Sequence, residues 1–281
     1  MSAESFAHAA KALRSGDRDR YLATLVLNGA HRDAVTALYA FNADIASIRE
    51  RVSGPVPGEM RLQWWSDALE GEGHGAVRQN PVADALLDTL TRYALPNGTL
   101  LRLIGARRFD LYDDPMPDLE TFEGYAGETV STLYQLAAMI LNDGETIETG
   151  DAAGHLGVAH ALLGHLRAFG PVSGQGRIML PWSILEANGV REGEIFSGVE
   201  SEGLSEALGQ ISELAGGHLA KAEAAIAQLP GHLKPAFAPI AVLKAQFNLL
   251  QRHSGGLFEA KPDDAEWRKI TRLTWWTWRN R

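Results

Sequence analysis

The sequence contains no cysteine. That excludes a disulfide framework, a thiolate zinc site and a cysteine nucleophile, and it fits a reducing compartment. No apolar run reaches the roughly 18 residues needed to span a bilayer. Met1-Ser2-Ala3-Glu4 is polar and lacks the charged stretch and apolar core of a secretory signal. These absences set the expectation of a cytoplasmic protein. Period-two runs of Val, Ile and Thr are nearly missing, so there is little material for strands. There is no Gly-x-Ser-x-Gly elbow and no His-Glu-x-x-His pair, which leaves hydrolase readings without support. Two glycine-rich loops, Gly71 to Gly75 and Gly170 to Gly176, are not followed by Gly-Lys-Ser/Thr and so are not phosphate-cradling loops. The last absence is local. From Ala152 to Leu185 there is no Asp or Glu, where the chain's average would place about four.

What is present reads as helix. The chain has 281 residues, 45% of them hydrophobic, enough for one domain over 1–281 that buries roughly three quarters of its unfolded surface. Ala and Leu recur at helical spacing and predict helices over 17–28, 31–50, 58–70, 81–94, 97–112, 118–141, 151–169, 202–228, 232–252 and 264–278. Pro55 and Pro57 end the extension of the second helix, Pro81 suits a first helical turn, and Pro171 should break its helix. The expected class is all-α, a bundle of about ten helices. The net charge of −9 argues against nucleic acid as a partner. That charge is uneven. Residues 267–281 hold Arg268, Lys269, Arg272, Arg279, Arg281 and no acid, which leaves −14 for the rest. The same tail holds four of the seven tryptophans.

Several segments carry a resemblance. Arg32 to Phe41 reads Arg-Asp-Ala-Val-Thr-Ala-Leu-Tyr-Ala-Phe. Gln63-Trp64-Trp65 is followed by Ala68-Leu69, and Tyr125 by Val130. Further on stand Leu156-Gly157-Val158-Ala159, Arg167, and Gly176-Arg177-Ile178-Met179-Leu180-Pro181. In this order, over about 17–190, these resemble segments of the squalene/phytoene synthase family. The resemblance implies the isoprenoid synthase fold, a helical bundle around a central cavity. It also implies head-to-head joining of two prenyl diphosphates. That reaction ionises a diphosphate, and Mg²⁺ makes the leaving group viable. Magnesium takes carboxylate and phosphate oxygens, so two facing helices each present acids three or four residues apart, on one face.

Both acidic motifs are degenerate here. Aligned on Tyr39-Ala40-Phe41, the first falls on Ala46-Ser47-Ile48-Arg49-Glu50, where only Glu50 is acidic. Asp44 stands two residues early, about 200° around the helix from the required face. The second falls on Arg167-Ala168-Phe169-Gly170-Pro171-Val172, with Ala168 and Val172 at the aspartate positions. The resemblance therefore implies no catalytic residue, no trinuclear magnesium site and no cofactor. A branch of the family with degenerate motifs, associated with assembly of mitochondrial respiratory complex I, resembles this chain in Tyr21 to Leu25, Ala40 to Asn42 and Met60 to Trp65. It implies a noncatalytic protein that helps assemble a membrane respiratory complex or binds an isoprenoid or lipid. A protein of that complex is the implied partner, with peripheral contact at the inner membrane face. The alternative is an active magnesium-dependent prenyl transferase with rearranged ligands Glu50, Asp110 and Asp113.

Other candidates follow from residue type. Tyr39, Phe41, Trp64 and Tyr125 are core residues or cavity lining, which in this fold overlap. Arg49, Arg51, Arg61 and Arg167 are candidates to bind a phosphate or headgroup without metal; the opposing reading is ion pairing with Glu50, Glu59 or Asp67. Asp110, Asp113 and Asp114 share a helical face suited to one cation, or form a solvated helix end. His155, His160 and His165 are spaced by five and rotate too far apart to share a metal. The segment 264–281 reads as a basic, tryptophan-rich helix. Trp267, Ile270, Thr274 and Trp278 fall in one sector, Arg268, Arg272 and Arg279 lie about 100–140° away, and Trp275 lies between. Such a helix suits an anionic membrane surface. The opposing expectation is that its tryptophans dock on the domain.

Overall fold

The computed structural model describes residues 3–73, 76–252 and 255–280. His74 and Gly75 of the first glycine-rich loop, and Arg281 of the basic tail, lie outside the described residues. No strand occurs among those described. In chain order the α-helices are α1 (Ala3–Gly16), α2 (Arg18–Thr24), α3 (Gly29–Ala46), α4 (Ile48–Arg51), α5 (Pro55–Glu70), α6 (Pro81–Arg92) and α7 (Asn97–Arg107). They continue with α8 (Leu119–Ala126), α9 (Thr132–Leu141), α10 (Gly150–Ser173), α11 (Trp182–Ala187), α12 (Glu192–Phe196), α13 (Glu202–Ala227), α14 (Ile240–Arg252) and α15 (Glu266–Arg279).

Side-chain caps set several starts. Asp17 accepts from the Arg20 amide, Asn80 from the Val82 and Ala83 amides, Asp118 from the Thr121 amide and Ser201 from the Leu204 amide. Each satisfies a donor that the first helical turn leaves unpaired. In α13 the residues Leu204, Ala207, Ile211, Ala215, Leu219, Ala222 and Ile226 recur every three or four positions, and all are buried. That stripe lies along α10, and the two longest helices form the spine of the core. Each fully buried Leu or Ile contributes about 1.5–3 kcal/mol. One contiguous apolar cluster runs from Ala9 in α1 to Leu243 in α14.

The structure departs from the expected elements for identifiable reasons. α1 was not expected. Its inward face is Ser5, Ala9 and Leu13, too small a stripe to register as apolar periodicity. Ser47 divides the expected 31–50 helix into α3 and α4. Pro55 and Pro57 open α5 rather than ending what precedes them, because proline fits a first turn. Pro171 does not break α10. It lies in the last turn, and the helix closes beyond it with the Gly174 amide donating to the Gly170 carbonyl at 3.0 Å. Between α8 and α9, Gly127–Ser131 forms a π-helical turn inside an otherwise unbroken run. Opposite that turn, α10 comes so close that a Cβ on Gly157 would stand 2.5 Å from the Ser131 amide nitrogen.

Residues 255–265 form a strap that joins α14 to α15 across the end of α10. The Phe258 ring meets the Phe169 ring at 5.3 Å between centroids. The Phe258 carbonyl occupies the space that a side chain at Gly170 would need. The Lys261 ammonium donates to the Gly256 and Leu257 carbonyls at 2.8 and 3.0 Å.

Candidate functional site

A cavity of about 290 Å³ lies between α3–α4 on one side and α10 on the other. Ala46, Arg49 and Glu50 line the first side, and Ala161, Gly164, His165, Ala168 and Val172 the second. The four positions where the resemblance placed acids, Ala46, Glu50, Ala168 and Val172, thus border one space, and only Glu50 brings a carboxylate. Ser47 spends its hydroxyl on the Asp44 carbonyl at 3.0 Å. Asp44 accepts from the Trp65 indole at 2.9 Å and pairs with Arg51 at 2.9 Å, away from the cavity, as its helical angle requires.

The π-helical turn and α8 supply the floor, with Tyr125, Thr129 and Val130. Tyr125 is fixed from two sides. Its hydroxyl donates to Asp110 Oδ1 at 2.6 Å and accepts from Arg107 Nη1 at 2.7 Å. Arg107 also donates to Asp110 Oδ2 at 3.0 Å. Burial raises the pKa of the Tyr125 hydroxyl, and Asp110 adds to that against the opposing Arg107 charge. Burial disfavours the Arg107 cation, yet Tyr125 and Asp110 outweigh it and hold the guanidinium firmly charged. Four arginines, Arg20, Arg49, Arg107 and Arg177, face two carboxylates, Glu50 and Asp110, around this space. Arg49 Nε and Arg107 Nε are buried without a hydrogen-bond partner in the protein. Two histidines complete the wall. Burial, with Arg20 adding to it, lowers the His160 pKa to about 3. Burial likewise lowers the His165 pKa to about 4. Both are neutral near pH 7. His160 Nδ1 shares a hydrogen bond with the Tyr134 hydroxyl at 2.8 Å.

Sequence-predicted residues divide among several places. Arg49 reaches the cavity and pairs with Asp113 at 3.1 Å. Arg61 does not converge with it. It borders a separate depression of about 330 Å³ with Arg51, Trp64 and Trp65. Arg167 turns from the cavity into a space of about 510 Å³ below α15, where it meets Asp263 at 3.0 Å. Of the expected aromatic lining, only Tyr125 borders the cavity. Phe41 is fully buried against Trp65, at 5.0 Å and edge-on. Tyr39 is buried under the Arg20 guanidinium, 5.7 Å from its ring, and burial pushes its hydroxyl up to about 12. The Asp110, Asp113 and Asp114 face does not form. α7 ends at Arg107, a 3-10 turn carries Asp110 inward, and Asp113 and Asp114 remain exposed. Asp110 is therefore no solvated helix end. His155 meets His218 at 3.1 Å and does not line the cavity with His160 and His165. Among the described residues no group of three or more His, Asp or Glu is placed to hold a metal.

Sequence reasoning missed Arg20, Arg107 and Arg177. Arg177 stands in a segment that carries the resemblance but was not read as cavity lining, and no motif marked Arg20 or Arg107; α2, α7 and the connection after α10 deliver the three to the same wall. The 510 Å³ space shares Arg20, His160 and Gly164 with the cavity. Its outer side is an ion-pair network. The Lys269 ammonium, nearly buried, meets Asp19 at 2.6 Å and Asp263 at 2.5 Å, and Gln246 Nε2 donates to Asp19 at 2.8 Å. This network ties α15 to α2, α10 and α14.

The family model described as squalene/phytoene synthase matches residues 13–276. The chain belongs to the squalene/phytoene synthase family. The rat NADH dehydrogenase (ubiquinone) complex I assembly factor 6 is 27% identical over 255 residues, covering 91% of this chain and 76% of the relative. A 15-cis-phytoene synthase of Synechococcus elongatus is 24% identical, with 90% and 86% covered. The crystal structure of squalene synthase HpnC from Alicyclobacillus acidocaldarius superposes with a TM-score of 0.73 at 19% identity, over 89% of this chain and 94% of that one. The fold of this family member is thus the isoprenoid synthase fold, all-α as its periodicity predicts. No helix among the described residues is long and apolar enough to cross a membrane.

Proposed function

We propose that this chain is a noncatalytic member of its family, a pseudoenzyme that acts in the assembly of a membrane respiratory complex. One observation carries the reading. The two helix faces opposed across the 290 Å³ cavity present Ala46 and Glu50 against Ala168 and Val172. Ionising a prenyl diphosphate needs magnesium held by carboxylates from both sides, and here one side has none. Similarity to complex I assembly factor 6 over most of the chain supports the same reading.

A second reading concerns the cavity itself. The unpartnered Nε groups of Arg49 and Arg107, with neutral His160 and His165 beside them, favour an anionic headgroup held without metal. At about 290 Å³ the space lies at the lower limit for a small-molecule site. It suits one phosphate or diphosphate group of an isoprenoid or lipid, not two prenyl chains.

The test is incubation of the purified protein with farnesyl diphosphate, with and without Mg²⁺, following pyrophosphate release and heat of binding. The expected result is no turnover. Magnesium-dependent release would overturn the noncatalytic reading and point to Glu50, Asp110 and Asp113 as rearranged ligands. Deletion of the coding sequence is expected to lower the assembled respiratory complex on native gels. Unchanged complex levels would remove the assembly role.

A further inference from the structure

We propose that the outer face of α15 is a docking surface for an anionic lipid bilayer, with Trp267, Trp275 and Trp278 entering the headgroup region. The inference concerns a different face from the cavity and does not depend on whether the cavity is catalytic.

The helix is fixed by its inner side. Leu273 is fully buried and packs with Leu22, Ala23, Ala238 and Val242, and Trp276 covers that cluster. Lys269 anchors the same side through Asp19 and Asp263. With that sector committed, the others must face outward. Trp267, Trp275 and Trp278 are 65%, 60% and 68% exposed. Only Trp276 of the tail's tryptophans docks on the domain. At about 100° per residue, Trp267, Thr271, Thr274, Trp275 and Trp278 occupy one sector about 100° wide. Arg268, Arg272 and Arg279, all exposed, form the adjoining band. Asp264, itself nearly buried, holds Arg272 at 3.1 Å and Arg268 at 3.6 Å, offsetting one charge of the three while fixing two of them. No acid lies from Trp267 to Arg279.

Three tryptophans aligned outward on one 14-residue helix are not surface noise. At roughly 250 Å² per side chain they expose on the order of 450 Å² of indole, which is already the size of the largest apolar patch on an ordinary monomer. A standard protein interface takes about 800 Å² from each partner, built around a fitted apolar centre. This face is smaller, convex, and consists of one ridge about 17 Å long from Trp267 to Trp278. A bilayer asks for no shape match. It asks for rings with an apolar body and a polar N–H at headgroup depth, beside cations for anionic lipid. The rigid inner anchorage means that little ordering cost is left for the contact itself.

The full chain would be mixed with vesicles of phosphatidylcholine alone, and of phosphatidylcholine and phosphatidylglycerol in equal parts, and sedimented at rising salt. Brominated acyl chains would report tryptophan depth by quenching. The expected result is sedimentation with the anionic vesicles, weakening with salt, together with quenching. Arg268→Gln and Arg279→Gln are each expected to lower affinity about fivefold. Trp275→Ser with Trp278→Ser is expected to lower it at least tenfold and to leave the thermal midpoint unchanged, since both rings are mostly exposed and meet each other, tilted, at 5.1 Å between centroids. Absence of sedimentation with anionic vesicles at low salt overturns the proposal. So do binding and quenching that persist in the double tryptophan variant. A chain that ignores both vesicle types but forms a dimer dependent on Trp275 and Trp278 overturns it in favour of a protein surface.

Discussion

The placement of His160 and His165 gives the fold a dependence on pH. Both line the arginine-rich cavity, and burial holds their pKa values at about 3 and about 4. In the unfolded chain a histidine titrates near 6.5. Below that pH the unfolded state binds protons that the folded state refuses, so stability falls as pH drops. The loss begins near pH 6.5, and at pH 5 each histidine costs about 2 kcal/mol. Urea midpoints measured between pH 7.5 and pH 5 are expected to fall accordingly. The pair His160→Gln and His165→Gln is expected to flatten that decline, and an equally steep decline in the variant would assign it to other groups. Spacing alone ruled out a shared metal for these histidines. It did not reveal that two of them face arginines, because those arginines come from α2, α4 and α7.

At the scale of elements, the contact between α10 and the π-helical turn decides how the cavity floor is set. The turn spans Gly127–Ser131 and places Thr129 and Val130 on the lining. It can do so because Gly157 lets the α10 backbone come in against Ser131. Gly157→Ala is expected to cost about 1–3 kcal/mol through overpacking, read as a lowered thermal midpoint. Gly154→Ala, one turn earlier with open space around its Cβ position, is the control. It is expected to be neutral or to stabilise by up to about 1 kcal/mol through helix propensity. Equal midpoints for the two variants would show that the close approach does not constrain the fold. The strap belongs to this scale too. Phe258 on Phe169 and against Gly170 lies over the end of α10 that the resemblance associates with a second metal motif.

At the scale of the whole molecule, the fold of a prenyl synthase persists around a site with one opposed carboxylate. If the lost acids are what separates this cavity from a magnesium site, returning them should restore cation binding before any chemistry. The triple variant Ala46→Asp, Ala168→Asp, Val172→Asp is expected to be less stable than the parent without metal, because it buries added charge. It is expected to gain thermal midpoint with Mg²⁺ by mass action, while the parent does not respond. A triple variant indifferent to Mg²⁺ would mean that the frame itself no longer fits the ion. The arginine walls make that outcome informative, since Arg20, Arg49, Arg107 and Arg177 would compete for the new carboxylates.

Some of this was settled before folding. Apolar spacing of 3.6 and a first-turn proline such as Pro81 are local, so most long helices were legible. The missing acids of Ala152 to Leu185 were legible too, because no fold can supply a carboxylate that the segment lacks. The uneven charge of the tail is likewise a property of composition. Convergence was not legible. Arg61 and Arg167 looked equivalent to Arg49 on paper and occupy other spaces, while Arg20, Arg107 and Arg177 join Arg49 without a shared motif. A helical wheel states angles between Trp267, Trp275 and Trp278 but not which sector faces the core. That choice fell to Leu273 and Lys269, whose partners Val242, Asp19 and Asp263 are remote in sequence from one another. Only the packed chain brings them together and so turns the tryptophans outward.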